Sequence, residues 1–198
     1  MKFLNLFSSS TLGVQLVFFL AVGMSMLGLL MYDISLSMLM LILTGYFLYG
    51  CLGIVITFHR NLTHNSYKTH PLLVKIFSVL GCLGGTGSPI AWVAIHINHH
   101  LKSDKEGDPH SPAHKGLNIF KLSYEQEIDA STKWRMRDLV TDRFHQLLHR
   151  YYFLILGIWG VVLFLIGGLY LTIFFHWVPL VITVLMSNIV NYIGHKPN

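Results

Sequence analysis

Three histidines, His96, His99 and His100, follow an apolar run in the stretch W-V-A-I-H-I-N-H-H-L-K-S-D-K-E-G-D-P-H-S-P-A, Trp92 to Ala113. At spacings i, i+3 and i+4 a helix puts all three imidazoles on one face, within about one turn. Neutral imidazole is the commonest metal ligand, so such a face offers several nitrogens to an ion. Taken alone, H-x-x-H-H fits a polar surface helix equally well. Two further groups shift that balance. His59 and His64 stand where another apolar run ends, and imidazoles there are costly if buried without partners. Asn191 and His195, at i and i+4, close the last apolar run and share a helix face. Five clustered imidazoles and a candidate sixth, with no thiolate among them, exclude the usual structural zinc pattern. Such a set suits iron, copper or zinc. More than four histidines implies more than one metal, which favours a dinuclear centre able to activate oxygen.

The elements that must position these groups are read from the charge pattern. Apolar residues make up 53% of the chain and charged residues 12%, about half the share of a soluble domain. Twelve of the 14 Lys and Arg and eight of the nine acidic residues lie between Arg60 and Arg150. This is the layout of a membrane protein with one large polar segment. The net charge of +5 is therefore a matter of topology, and no nucleic-acid partner is expected. Cys51 and Cys82 sit in apolar runs without a C-x-x-C partner and read as packing residues.

Leu12 to Met31 is uncharged and, at about 1.5 Å per residue, covers about 30 Å, the hydrocarbon thickness. Ile34 to Phe58 is a second uncharged run, close enough to the first to form a hairpin with it. Leu72 to Ile95 is broken by G-G-T-G-S-P and reads as a shallow helix, a turn, and a short helix leading into His96. Tyr124 to Arg150 reads as an amphipathic helix or two on the headgroup surface, where His145 and His149 have the i, i+4 spacing of a metal pair but are not expected as ligands. Tyr151 to Gly194 holds no Asp, Glu, Lys or Arg, is twice a single span, and should turn between Gly168 and Trp177. His176 is expected at that far interface. The predicted fold is an all-α membrane protein with spans at about 12–31, 34–58, 151–170 and 174–193, in two hairpins. A histidine-rich helical cap at 59–150 completes one domain over 1–198. The basic residues put the cap and both termini on the cytoplasmic side, making the chain an integral, multi-pass membrane protein.

The runs Gly53 to Lys68 (G-I-V-I-T-F-H-R-N-L-T-H-N-S-Y-K), W-V-A-I-H-I-N-H-H and S-D-K-E-G-D-P-H-S-P resemble the membrane fatty-acid desaturases, in their delta-9 branch. So do R-D-L-V-T-D ahead of H-R-Y-Y and N-Y-I-G-H, and the resemblance covers roughly residues 50 to 195. It implies a di-iron centre that uses O2 and two electrons to introduce a cis double bond into an acyl-CoA or acyl-lipid chain. It assigns His59, His64, His96, His99, His100 and His195 as iron ligands, with Asn191 reaching iron through a water. Trp92 and Ser187 would line the bend of an acyl tunnel; apart from the resemblance they fit an interface anchor and a helix-packing residue. Asp104 and Asp108 would orient ligand histidines. With no H-P-G-G haem motif in the sequence, the electrons are expected from a separate ferredoxin or cytochrome b5 type donor.

The family carries a third H-x-x-H-H box beyond the N-x-x-x-H element, and these 198 residues do not contain it. Ile95 and Ile97 also replace polar residues common beside the second box. Two expectations follow. One is a desaturase domain, C-terminally incomplete here, whose third box belongs to a longer product or to a second polypeptide. The other is a truncated or split homologue that binds metal or lipid without turnover.

Overall fold

The computed structural model describes residues 6–103, 105–108, 111 and 129–194. Among the described residues every regular element is helical. Helix α1 (Leu6–Met31) is followed by a short break and α2 (Leu36–Tyr46), whose N-cap Ser35 accepts from the Met38 N–H. Helix α2 continues without interruption into a π-helical stretch, Phe47–Thr63. The helix thus runs five residues beyond the expected end of the span at Phe58. The widened turns explain how it passes polar residues. Thr57 Oγ1 donates to Leu52 O and Thr63 Oγ1 to Phe58 O, while Tyr67 Oη folds back to Ile56 O.

Helices α3 (Pro71–Leu83) and α4 (Pro89–Lys102) each start with proline at the first turn, where its missing N–H costs nothing. The glycine-rich turn between them falls where the sequence places a break. Three short helices follow: α5 (Ala130–Arg135), α6 (Arg137–Thr141) and α7 (Arg143–Arg150). Helix α8 (Tyr152–Thr172), a π turn (Ile173–Trp177) and α9 (Val178–Gly194) complete the described chain.

Among the described residues, three helical runs are long and apolar enough to cross a membrane: Leu12–Met31, Leu36–Thr63 and the 43-residue run Tyr152–Gly194. The last is interrupted at Gly167–Gly168, at the near edge of the expected Gly168–Trp177 turn; the backbone is helical again through Trp177. Gly168 has φ 64° and ψ −159°, a region open essentially to glycine alone. The chain reverses there. Trp159 and Phe175 have ring centroids 6.5 Å apart, where unbroken helix would separate them by about 24 Å. The break before α2 lies beside this reversal, since Tyr170 Oη is 3.0 Å from both Ser35 Oγ and Ser37 Oγ.

Tyr49, Phe58, Cys82, Leu83 and Leu180 form the buried centre, joined by Tyr152 and Leu156 from α8. Trp159 Nε1 donates to Tyr49 Oη at 2.9 Å and ties α8 to the π-helical stretch. The outer faces remain apolar. Leu30 is 86% and Leu165 77% exposed, which suits a hydrocarbon solvent and not water.

Candidate metal site and cavity

The H-x-x-x-x-H spacing of His59 and His64 would place the two rings on different faces of an α-helix, about 140° apart at 100° per residue. In the π-helical stretch a residue five positions on closes one turn, and His64 N–H donates to His59 O at 3.1 Å. Their ring centroids are consequently 4.6 Å apart. Helix α4 brings the second pair. His96 and His100 lie one turn apart with Nε2 atoms at 3.1 Å, and their rings reach His59 and His64 at 4.7 Å each. One ligand nitrogen from each of His59, His64, His96 and His100 falls within 4.8 Å of the other three.

His99 stands beside this group, its ring 5.9 Å from His96 and 5.4 Å from His100. Its Nδ1 lies 2.7 Å from Asp108 Oδ1, with both side chains buried. A carboxylate only accepts, so His99 Nδ1 donates to Asp108 Oδ1. That is the orienting arrangement typical of metal-bound imidazole. Asp108 thus touches a candidate ligand. Asp104 and His195 lie outside the described residues.

A cavity of about 340 Å³ opens from His59, His96, His99 and His100. Trp92, Thr86, Ser187 and Asn191 line it, and it extends to Tyr46, Gly50 and Thr183. Tyr46 precedes His59 by thirteen positions, so the cavity runs alongside this helix over that stretch. Trp92 stacks on His96 with centroids 4.7 Å apart and planes 28° from parallel. The structure therefore gathers Trp92, Ser187 and Asn191 around the same space as four of the six histidines, His59, His96, His99 and His100. Ser187 Oγ is bonded to Thr183 O at 2.9 Å. Thr86 Oγ1 is buried without a hydrogen-bond partner in the wall of the cavity.

Three further histidines stand outside this group. His145 is buried and His149 half-buried, each with a partner on another element. His145 Nδ1 pairs with Asp142 Oδ2 and its Nε2 meets Ser78 Oγ at 3.2 Å, while His149 Nδ1 lies 2.6 Å from Ser88 Oγ. Burial pushes both below the ordinary histidine value, with Asp142 opposing that shift at His145. His176 is fully buried among protein side chains, its ring 4.5 Å from that of Trp177.

With this geometry in view, comparison with known proteins is decisive. The family model for fatty acid desaturases matches residues 35–198. The chain belongs to the fatty acid desaturase family. It is 36% identical over 126 residues to an sn-1 stearoyl-lipid 9-desaturase of Anabaena variabilis, covering 62% of this chain and 46% of that protein. It is 32% identical over 157 residues to an sn-1 stearoyl-lipid 9-desaturase of Synechocystis sp., covering 76% and 48%. Delta-9 acyl-lipid desaturase 1 of Arabidopsis thaliana is 34% identical over 126 residues, covering 61% and 41%. The chain thus spans about half the length of the curated relatives it matches.

Proposed function

We propose that this desaturase-family chain forms the membrane core of an acyl desaturase, with iron held by its histidines and an acyl chain in its cavity. The observation that carries this is the opening of an imidazole cluster into a long, mostly apolar cavity of about 340 Å³. The donor set fits the metal. Four mutually close imidazole nitrogens, with no thiolate among them, are ligands suited to iron. His59, His64, His96 and His100 would hold it, with His99 oriented by Asp108. His195 and Asn191, the latter through a water, would complete the set from the end of α9. Bound as a di-iron centre, the metal would supply the oxidising power, drawn from O2 and two electrons, to remove two hydrogens from unactivated carbons.

The protein's own part is placement and exclusion of water. Trp92 lies against His96 and at the cavity wall, and with Ser187 it fixes where the acyl chain passes the histidines. The delta-9 position and the acyl-lipid or acyl-CoA carrier are proposed from the relatives, together with a separate ferredoxin or cytochrome b5 type donor. The two helical hairpins are read as four spans of a single domain, with the histidines and both termini on the cytoplasmic side. Trp134, exposed and with the Arg137 guanidinium 4.4 Å from its ring centre, suits the headgroup surface there. The test is expression in a host lacking the double bond, with fatty-acid profiling of its lipids and iron analysis of the purified chain. A new monounsaturated product and bound iron support the reading. Iron without product points to a metal- or lipid-binding homologue, and neither iron nor product overturns both.

A chain-length prediction arises at the Tyr46 end. A Cβ on Gly50 would lie 2.9 Å from the Tyr46 ring and 3.2 Å from Thr183 Oγ1, so little space remains beside it. Gly50→Leu should shorten the cavity and disfavour the longest accepted acyl chains by roughly 10–200-fold in kcat/KM per excluded methylene. Competition between acyl substrates of different length checks this. An unchanged length preference would place the acyl terminus elsewhere.

A further inference from the structure

Helices α7 and α8 present His145, His149 and Tyr152 at i, i+4 and i+7, on one stripe facing α3 and the turn before α4. Tyr152 Oη accepts from the Gly87 N–H at 3.2 Å. His149 Nδ1 meets Ser88 Oγ at 2.6 Å. Ser88 is the N-cap of α4, and its Oγ already accepts from the Ala91 N–H at 3.3 Å. A hydroxyl has one proton and two lone pairs, so Ser88 Oγ keeps the Ala91 bond whichever partner donates in the His149 contact, and that contact ties α7 to the start of α4. Burial favours the neutral His149 ring by lowering its pKa.

The other end of this contact is the histidine cluster. Ser88 stands one turn before Trp92 and two before His96, on the same face of α4. Trp92 is in turn stacked on His96. A cap that loosens lets the first turn of α4 shift, and the stacked Trp92 carries that shift to the His96 ring.

We propose that His149 is a positioning residue: by its hydrogen bond to the Ser88 hydroxyl it locks the start of α4 and so sets the place of Trp92 and His96 in the cavity. The inference rests on the metal-binding reading of the cluster. It is tested by Co(II) titration of the whole detergent-solubilised chain, following affinity and the visible absorption of the bound ion, alongside thermal unfolding. His149→Leu and Ser88→Ala should each weaken Co(II) binding roughly tenfold and alter the spectrum, the lower end of what an outer contact to a metal site costs. The double variant should be no worse than either single one. His149→Asn, whose Oδ1 can take the place of Nδ1, should restore affinity to within about twofold. A His149→Leu chain that melts earlier but binds Co(II) with native affinity and spectrum overturns the proposal, as does failure of His149→Asn to rescue. If His149→Leu does not fold, native Co(II) affinity in Ser88→Ala overturns it. If the unsubstituted chain binds no Co(II), the metal reading itself falls.

Discussion

Removing the His96 imidazole is expected to bring bound iron or Co(II) below about a tenth of the wild-type level at equal free metal. His96 is the shared neighbour of the whole cluster: its ring lies 4.7 Å from His59, 5.5 Å from His64 and 4.6 Å from His100. His64 makes the matching bridge from the π-helical side, its ring 4.7 Å from His100 and 5.5 Å from His96. His96→Ala therefore removes one donor and the contact that aligns the other three. Loss of an outer contact alone costs about 10–100-fold in metal affinity, so loss of a central donor should cost at least that much. Asp108→Asn provides the graded comparison. The amide still accepts from His99 Nδ1, but the charge is gone, and affinity should fall within that 10–100-fold range. Metal analysis of the purified chain and Co(II) titration give both numbers. Native binding by His96→Ala would mean that the ion, if any, sits away from these four residues.

Much of this arrangement is legible in the residue pattern because the signals are dense. Uncharged runs of 20 and 25 residues mark spans, and G-G-T-G-S-P marks the turn between α3 and α4. H-x-x-H-H on α4 needs only ordinary helical periodicity to share a face. What the pattern does not carry is geometry set by distant partners. His59 and His64 come together because the helix widens, and five-residue spacing in an α-helix argues the reverse. His145 and His149 look solvated among Asp142, Arg143 and Arg150, yet their partners Ser78 and Ser88 are 67 and 61 residues away in the chain. Local amphipathicity has no term for such a contact. Length predicts a turn within Tyr151–Gly194, and composition narrows it only to a ten-residue window. Only the backbone shows that Gly168, with its glycine-only dihedral angles, is where the chain reverses.

The largest effect on stability is expected at Gly53, deep in the bundle where the π-helical stretch crosses α3. A Cβ there would lie 2.4 Å from Gly81 N, 2.5 Å from Gly81 Cα and 2.8 Å from Leu80 C. These are backbone atoms, so no side chain can swing aside and the two helices must separate. Overpacking typically costs about 1–3 kcal/mol, and the upper part of that range applies where the backbone must move. Alanine also gains about 1 kcal/mol of helix propensity over glycine, which offsets only part of the clash. Gly157→Ala isolates the two terms, because nothing lies within 4 Å of a Cβ at Gly157. That variant should be neutral or slightly stabilised, while Gly53→Ala should melt several degrees lower, at roughly 2–4 °C per kcal/mol for a chain of this size. The separation would also reach the site. Gly81 faces the Phe58 ring, and Phe58 directly precedes His59. Gly53→Ala should accordingly weaken Co(II) binding as well as lower Tm, whereas Gly157→Ala should leave both the metal affinity and the cavity unchanged. Equal melting temperatures for the two variants would show that the helices are not in backbone contact at Gly53.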